Sequence, residues 1–267
     1  MNIHSSSIIH SSAQLGAGVE IGPGAVIEAD VQLGEGCVIG PNAVVRPHTT
    51  LGAGCRVHAG AVIGDTPQDL AFKQLASSVR IGARCVFREG VTVHRGTKEN
   101  SVTEIGDDCY LMANSHVAHN CRLGNRVILA NGVLLGGYVE IGHQAFVSGN
   151  AVIHQFCRVG RLAMVGGLSG ISKDVPPFCM THSVSMNTVI GLNVVGLKRN
   201  GFDADQRRAV RQCFNLLYRE GLNVSQAVIR IKKECSGPAV DEIVAFLESS
   251  KRGVCKFAVR GGDADEE

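Results

Sequence analysis

Tryptophan is absent from this chain, and aromatic residues make up only 4% of it. That scarcity argues against a sandwich packed around large buried rings. No stretch reaches the roughly 18 consecutive apolar residues that a membrane span requires. The N-terminal segment MNIHSSSIIHSSAQ has neither a basic n-region nor an apolar h-region, so no signal peptide is expected. Charge of one sign is also lacking. A formal net charge of +2 gives no global pull toward nucleic acid or an anionic membrane, and neither partner is expected. What the chain does have, over 267 residues, is 45% hydrophobic residues, 33 glycines and ten cysteines. An aliphatic, glycine-rich composition suits many short strands joined by tight corners.

The aliphatic residues fall in a fixed register. Ile3, Ile9, Leu15, Ile21, Ile27, Leu33, Ile39, Val45, Leu51, Val57 and Ile63 follow one another at every sixth position, often with glycine next. The same phase returns at Ile81, Phe87 and Val93, then runs from Ile105 to Ile171. A period of six is neither the 3.6 of a helix nor the 2 of a plain strand. It fits a short strand plus a corner, with three such units making a triangular coil of about 18 residues. Stacked coils would pair as parallel strands about 4.8 Å apart. The fold class expected is therefore mainly β, a parallel β-helix over residues 1–185.

Six cysteines (Cys37, Cys55, Cys85, Cys109, Cys121 and Cys157) stand four residues after an inward aliphatic, where other repeats have Ala25, Ala43, Ala61 or Ala145. The slot calls for a small apolar residue, and cysteine serves as one. Free thiols and a reducing compartment are the expectation, in place of a disulfide framework. Two segments leave the register, at about 65–78 and 97–104, and loops that leave a rigid scaffold often carry function. Beyond VPPF the pattern ends. Residues 186–267 read as a linker, helices near 203–219, 225–236 and from Asp241, and an acidic tail, GGDADEE, expected to be disordered.

Spacing converts to geometry. Residues eighteen apart stack, so His119, Gly137 and Gln155 form one column, with His116 at the corner before it and His154 beside Gln155. An imidazole can accept a proton from a hydroxyl, and a glycine amide can hold an oxyanion close to the backbone. That is an acyl-transfer site in outline. A second column, Ala113, Asn131, Gly149 and Gly167, leaves a trench without side chains, suited to an acyl chain or merely to relief of crowding. His94 and His143 are expected to decorate the surface. His116-x-x-His119 also permits a metal pair.

At this point the sequence resembles the UDP-N-acetylglucosamine O-acyltransferases that begin lipid A biosynthesis. The matching stretches include PQDL, REGVTVHRGT, LMANSHVAHNC, LGNRVILAN, AVIHQFCRVG, MVGGLSG, KDVPPF and GLNVVGLKRNGF, in order along nearly the whole chain. The resemblance implies a left-handed β-helix with a C-terminal helical domain. It implies a cytoplasmic homotrimer with active sites in clefts between subunits. A 3-hydroxyacyl group would pass from acyl carrier protein to the 3-hydroxyl of the UDP-sugar, with no metal and no cofactor beyond the carrier's phosphopantetheine. His119 matches the general base and Gly137 the oxyanion amide. His116, His154, Gln155 and Asp69 match contacts to the sugar and its phosphates, with Lys73, Asn120 and Tyr138 beside them. Asn193 and Arg199 match the nucleotide end, and Gly149 and Gly167 the acyl trench. Departures occur at Ala71, Asn120, Tyr138, Val195 and Asn200, where the family often has lysine, aspartate, histidine, an acidic residue and arginine. They leave open an amine in place of the acceptor hydroxyl. A non-catalytic scaffold is the remaining alternative from a different class. The basic face of Arg207, Arg208 and Arg211, with Lys232 and Lys233 further on, is either a solvated surface or a landing site for the acidic carrier.

Overall fold

The computed structural model describes residues 2–258; the acidic tail lies outside them. Within those residues three sheets of twelve, nine and eight strands form the faces of a prism. Most strands are two residues long, one pointing out and one in. In Val38–Ile39, for example, Ile39 is buried. Each strand pairs in parallel with its counterpart one coil away: Ile21 with Ile39, and Ile39 with Val57. The inward residues stack into a core from Val19 to Val189. Each Ile or Leu fully buried there contributes about 1.5–3 kcal/mol.

Two features turn the chain at each corner. One residue per corner takes the left-handed backbone conformation; Asn42, Asp108, Asn114, Asn120 and Asn150 do so, alternating with glycines such as Gly36 and Gly60. Asn and Asp tolerate this region through local hydrogen bonding. The glycines after the inward aliphatic answer a different need. A Cβ on Gly142 would lie 2.5 Å from the backbone nitrogen of Arg161 in the next coil. The six cysteines named above occupy the small corner slot, buried and free. The Cys121 thiol donates to the Gly136 carbonyl at 3.1 Å, and burial pushes its pKa up to about 12, so it stays protonated.

Both excursions are shorter than expected. Strands Val62–Asp65 and Ser77–Ile81 flank the first, leaving residues 66–76 outside the ladder. In the second, Ser101–Ile105 is strand and only residues 95–100 leave. The two strands that close the excursions pair along their full length, Ser77 with Ser101 through Ile81 with Ile105, because each continues the other's sheet.

After the last coil, Cys179–Thr181 still joins the first sheet, and Thr188–Leu192 pairs with it antiparallel. Four helices follow: α1 (Val194–Arg199), α2 (Ala204–Tyr218), α3 (Val224–Glu234) and α4 (Pro238–Glu248). Asp203 and Asn223 begin α2 and α3 with complete capping boxes. Helix α1 was not foreseen, and α4 begins at Pro238, before the expected Asp241, since proline suits the first helical turn. Lys256–Phe257 then returns to the sheet beside Thr188–Val189. Three of the scarce aromatics meet at this junction, where Phe214, Tyr218 and Phe257 pack on one another.

Candidate active site

The second face of the prism and the corner that follows it carry most of the candidate residues. Val117 pairs with Leu135, and Leu135 with Ile153, so the corners after them stack in register. His119, Gly137 and Gln155 therefore form a column along one edge. The His119 ring lies directly against Gly137. A Cβ there would sit 2.3 Å from its Cε1 and 2.5 Å from its Nε2, so only glycine leaves room for the imidazole.

The amide of Gly137 has no acceptor among the described residues. Most equivalent corner N–H groups among the described residues of the prism are likewise without an acceptor, and only a few have one. Asn125 N donates to His143 Nδ1 at 2.9 Å, and Ala83 N to Asp107 Oδ1 at 2.7 Å. What distinguishes Gly137 is that its open donor lies beside an imidazole, at the edge of a cleft.

That cleft, of about 410 Å³, is lined by His116, His119, Gly137, His154 and Gln155, together with Gln68 and His94. His116 lies on the strand face, one step from the expected corner, and shares a 2.7 Å hydrogen bond with Thr92 Oγ1. Burial first, and then the neighbouring His94 and His119, push its pKa down to about 4, so it is neutral at pH 7. His94 corrects the expectation of a surface histidine. It is 5% exposed, packs edge-on to His116 at 4.8 Å, and has its Nδ1 buried without a partner among the described residues. Burial lowers its pKa as well. The strand irregularity that sets Asp65 opposite His94 brings it under the root of the first loop.

Other candidates lie outside this cleft. Asn120 and Tyr138 stand behind the column and line a larger cleft of about 800 Å³ on the third face, with Arg122, Glu140, Arg158 and Lys251. Asp69 and Lys73 are exposed on the first loop, beside Gln68; the Asp69 carboxylate accepts from Ala71 N at 2.9 Å. The loop is tied down where Arg95 lies over the Phe72 ring at 5.4 Å and Asn100 N donates to Ala76 O at 2.6 Å. Gly149 and Gly167 form a separate column at the other edge of the second face, where a Cβ on Gly167 would be 3.3 Å from Gly149 O. Exposed Leu134 and Val152 lie on the strands between the two edges.

Asn193 and Arg199 belong to a different corner. Asn193 caps α1, accepting from Gly196 N at 2.8 Å and donating to Leu162 O at 2.8 Å, while Arg199 is exposed at the helix end. One chain does not bring them to His119. Among the described residues no three His, Cys, Asp or Glu side chains converge as metal ligands, and the Nδ1 atoms of His116 and His119 are engaged by Thr92 and Asn120.

The repeat and the site define a class first. Residues 30–65 and 103–137 match the bacterial transferase hexapeptide family. Residues 174–255 match the second domain of UDP-N-acetylglucosamine O-acyltransferase. Solved structures agree over nearly the whole chain. An LpxA from Acinetobacter baumannii superposes with a TM-score of 0.91 at 36% identity, covering 95% of this chain and 99% of that one. The UDP-N-acetylglucosamine acyltransferase of Bacteroides fragilis gives 0.90 at 35%, covering 94% and 98%. This likeness fixes the winding of the prism as left-handed.

An acyl-[acyl-carrier-protein]--UDP-N-acetylglucosamine O-acyltransferase from Gloeothece citriformis is 43% identical over 194 residues, 73% of this chain and 70% of the relative. The chain belongs to the UDP-N-acetylglucosamine O-acyltransferase family. The chain spans about half the length of several other curated relatives it matches. The protein of the same name from Anaeromyxobacter sp. (strain K) is 41% identical over 125 residues, 46% of this chain and 48% of that one.

Proposed function

We propose that the protein transfers a 3-hydroxyacyl group from acyl carrier protein to the 3-hydroxyl of UDP-N-acetylglucosamine, the first step of lipid A biosynthesis. One observation carries the reading: an imidazole packed on a glycine whose amide is unpaired, both facing one cleft. The names of the relatives at 41% and 43% identity agree with it.

In this reaction Nε2 of His119 takes the proton from the sugar hydroxyl as its oxygen attacks the thioester carbonyl carbon. The new C–O bond turns the carbonyl into an oxyanion, held by the Gly137 N–H. Collapse re-forms the carbonyl and breaks the C–S bond. The imidazolium returns its proton to the departing sulfur, releasing the pantetheine thiol. A positioned base contributes about 10²–10⁴ in rate and an oxyanion donor about 10²–10³. His116, neutral, and His154 with Gln155 bind the acceptor sugar and its phosphates, with Asp69 and Lys73 of the first loop beside them, while Asn120 and Tyr138, expected as substrate contacts, support the imidazole from behind. The acyl chain crosses Leu134 and Val152 toward Gly149 and Gly167.

Asn193 and Arg199 reach the nucleotide end from a neighbouring copy, which is the reason for proposing a homotrimer with clefts between subunits. Among the described residues no helix is long and apolar enough to cross a membrane, and the reaction is proposed to run in the cytoplasm. Exposed Arg208 and Arg211 with Arg207 flank a depression on α2 suited to the acidic carrier. Reversing charge at Arg207 and Arg208 should raise KM for the carrier-bound donor and leave that for the sugar nucleotide unchanged; equal KM values for the donor before and after would remove α2 from the docking site.

The reading is tested by mass spectrometry of products from a mixed pool of 3-hydroxyacyl and plain acyl carriers with UDP-N-acetylglucosamine and its 3-amino analogue. A product heavier than UDP-N-acetylglucosamine by one 3-hydroxyacyl group is expected. Exclusive acylation of the amine would replace the acceptor, and no product from any pair would end the proposal.

A further inference from the structure

The second loop reaches back to the imidazole through a chain of hydrogen bonds whose direction can be worked out atom by atom. Thr97 N and Thr97 Oγ1 both lie 3.0 Å from Asn120 Oδ1. A backbone N–H can only donate, so the amide oxygen of Asn120, and not its NH₂, faces Thr97. His119 Nδ1 lies 3.0 Å from that same oxygen and must therefore carry the proton. Nε2, against Gly137, is left as the lone-pair nitrogen. The single hydroxyl proton of Thr97 goes to Asn120, so the contact between Thr97 Oγ1 and the Tyr138 hydroxyl, 3.1 Å, is a donation by Tyr138.

Asn120 itself is held fast. Its backbone has φ of 60°, and its N–H donates at 2.7 Å to Thr103 Oγ1, which is fully buried. Tyr138 is held by packing, stacked on Phe156 at 4.8 Å and set edge-on to the His119 ring at 5.3 Å. A carboxylate is absent from the chain of contacts.

We infer that Thr97 is a positioning residue for the reaction: through Asn120 it fixes His119 in the Nδ1–H tautomer, and with Tyr138 it does so using neutral groups only. The inference rests on His119 acting as the base. A tautomer that leaves the lone pair on the wrong nitrogen cannot accept the substrate proton, and loss of that control is costly in other imidazole bases. A neutral acceptor sets the ring without stabilising the imidazolium as a carboxylate would.

The test uses the full-length protein with ¹⁵N-histidine labelling and steady-state kinetics. In the wild type at alkaline pH, the ring shifts of His119, assigned against His119→Gln, should report Nδ1–H. Thr97→Val keeps the shape and the backbone N–H but removes the hydroxyl. With one of the two donors to Asn120 Oδ1 lost and the other kept, partial tautomer mixing and a fall in kcat of several-fold, up to about tenfold, are expected, with KM for both substrates within twofold. Thr97→Ser should restore both signals. Asn120→Asp, which adds the missing carboxylate, should move the acidic limb of the kcat/KM profile to higher pH. A wild-type ring in the Nε2–H form would overturn the inference, as would Thr97→Val with wild-type kcat and pH profile. Substantial turnover by His119→Ala would instead overturn the base itself, so the two failures are separable.

Discussion

At the scale of single residues, Gly137 is held to glycine by a single contact. Its backbone is not in the left-handed region, so alanine is conformationally allowed there, yet the added methyl would collide with the His119 ring. Gly137→Ala is therefore expected to lower kcat by about 10²-fold, as displacement of a catalytic group by about 1 Å does, while the melting temperature changes little. Steady-state kinetics alongside a thermal melt would check both halves. His116 gives a pH-dependent stability. The unfolded side chain takes up a proton near its ordinary 6.5, whereas the folded one resists until about 4. The unfolded state binds more protons in between, so stability should be complete above 6.5 and fall as pH drops toward 4. The melting temperature of His116→Gln should fall less steeply than wild type over that window.

The residue column was legible before any coordinates, because a register of eighteen places His119, Gly137 and Gln155 by counting alone. His94, Gln68 and Thr97 were not. They lie on or beside the excursions, where counting fails, and the burial of His94 follows from a strand irregularity that no pattern in the sequence announces.

At the scale of elements, the corner slot filled by cysteine makes a stability claim. Cys121 is fully buried with its thiol on Gly136 O. Cys121→Ala resembles the alanines in neighbouring coils, and chemical denaturation should show a loss below about 1.5 kcal/mol. Cys121→Leu overfills the same corner and should cost about 1–3 kcal/mol or more. The six-residue repeat and the starts of α2 and α3 could be placed to within a residue or two because their signals are local, an aliphatic period and a capping Asp, though the Asn223 cap itself was not singled out. Six-residue α1 is too short to show a helical period. Gly237-Pro238 reads equally as the end of one helix or the start of the next, and the structure uses it as the start of α4. The left-handed corner residue also escaped notice, since it is filled by Asn, Asp and Gly but equally by Tyr138 and Phe156.

At the scale of the whole molecule, Asp174 joins the last coils to the helical end. Its buried carboxylate accepts from Arg158 N at 2.9 Å, from the Arg158 guanidinium at 3.0 and 3.1 Å, and from Ser250 Oγ at 2.8 Å. Its backbone exchanges hydrogen bonds with Gly253 and Cys255. Asp174→Ala leaves Arg158 without its partner and should cost about 3–5 kcal/mol in a denaturant titration. Aliphatic stacks fill most of the prism interior, with Phe87 the one large ring among the described residues there, and Phe214, Tyr218 and Phe257 close the junction where the helices meet the last coil.

The most direct measurement is the turnover of His119→Ala with 3-hydroxyacyl carrier and UDP-N-acetylglucosamine, with its oligomeric mass determined in parallel. Expected is a kcat/KM at least about 10²-fold below wild type, in a protein that keeps its assembled mass and its melting temperature. A variant that turns over within a few-fold of wild type would contradict the assignment, because the imidazole on Gly137 would then be structural and the transfer would occur elsewhere.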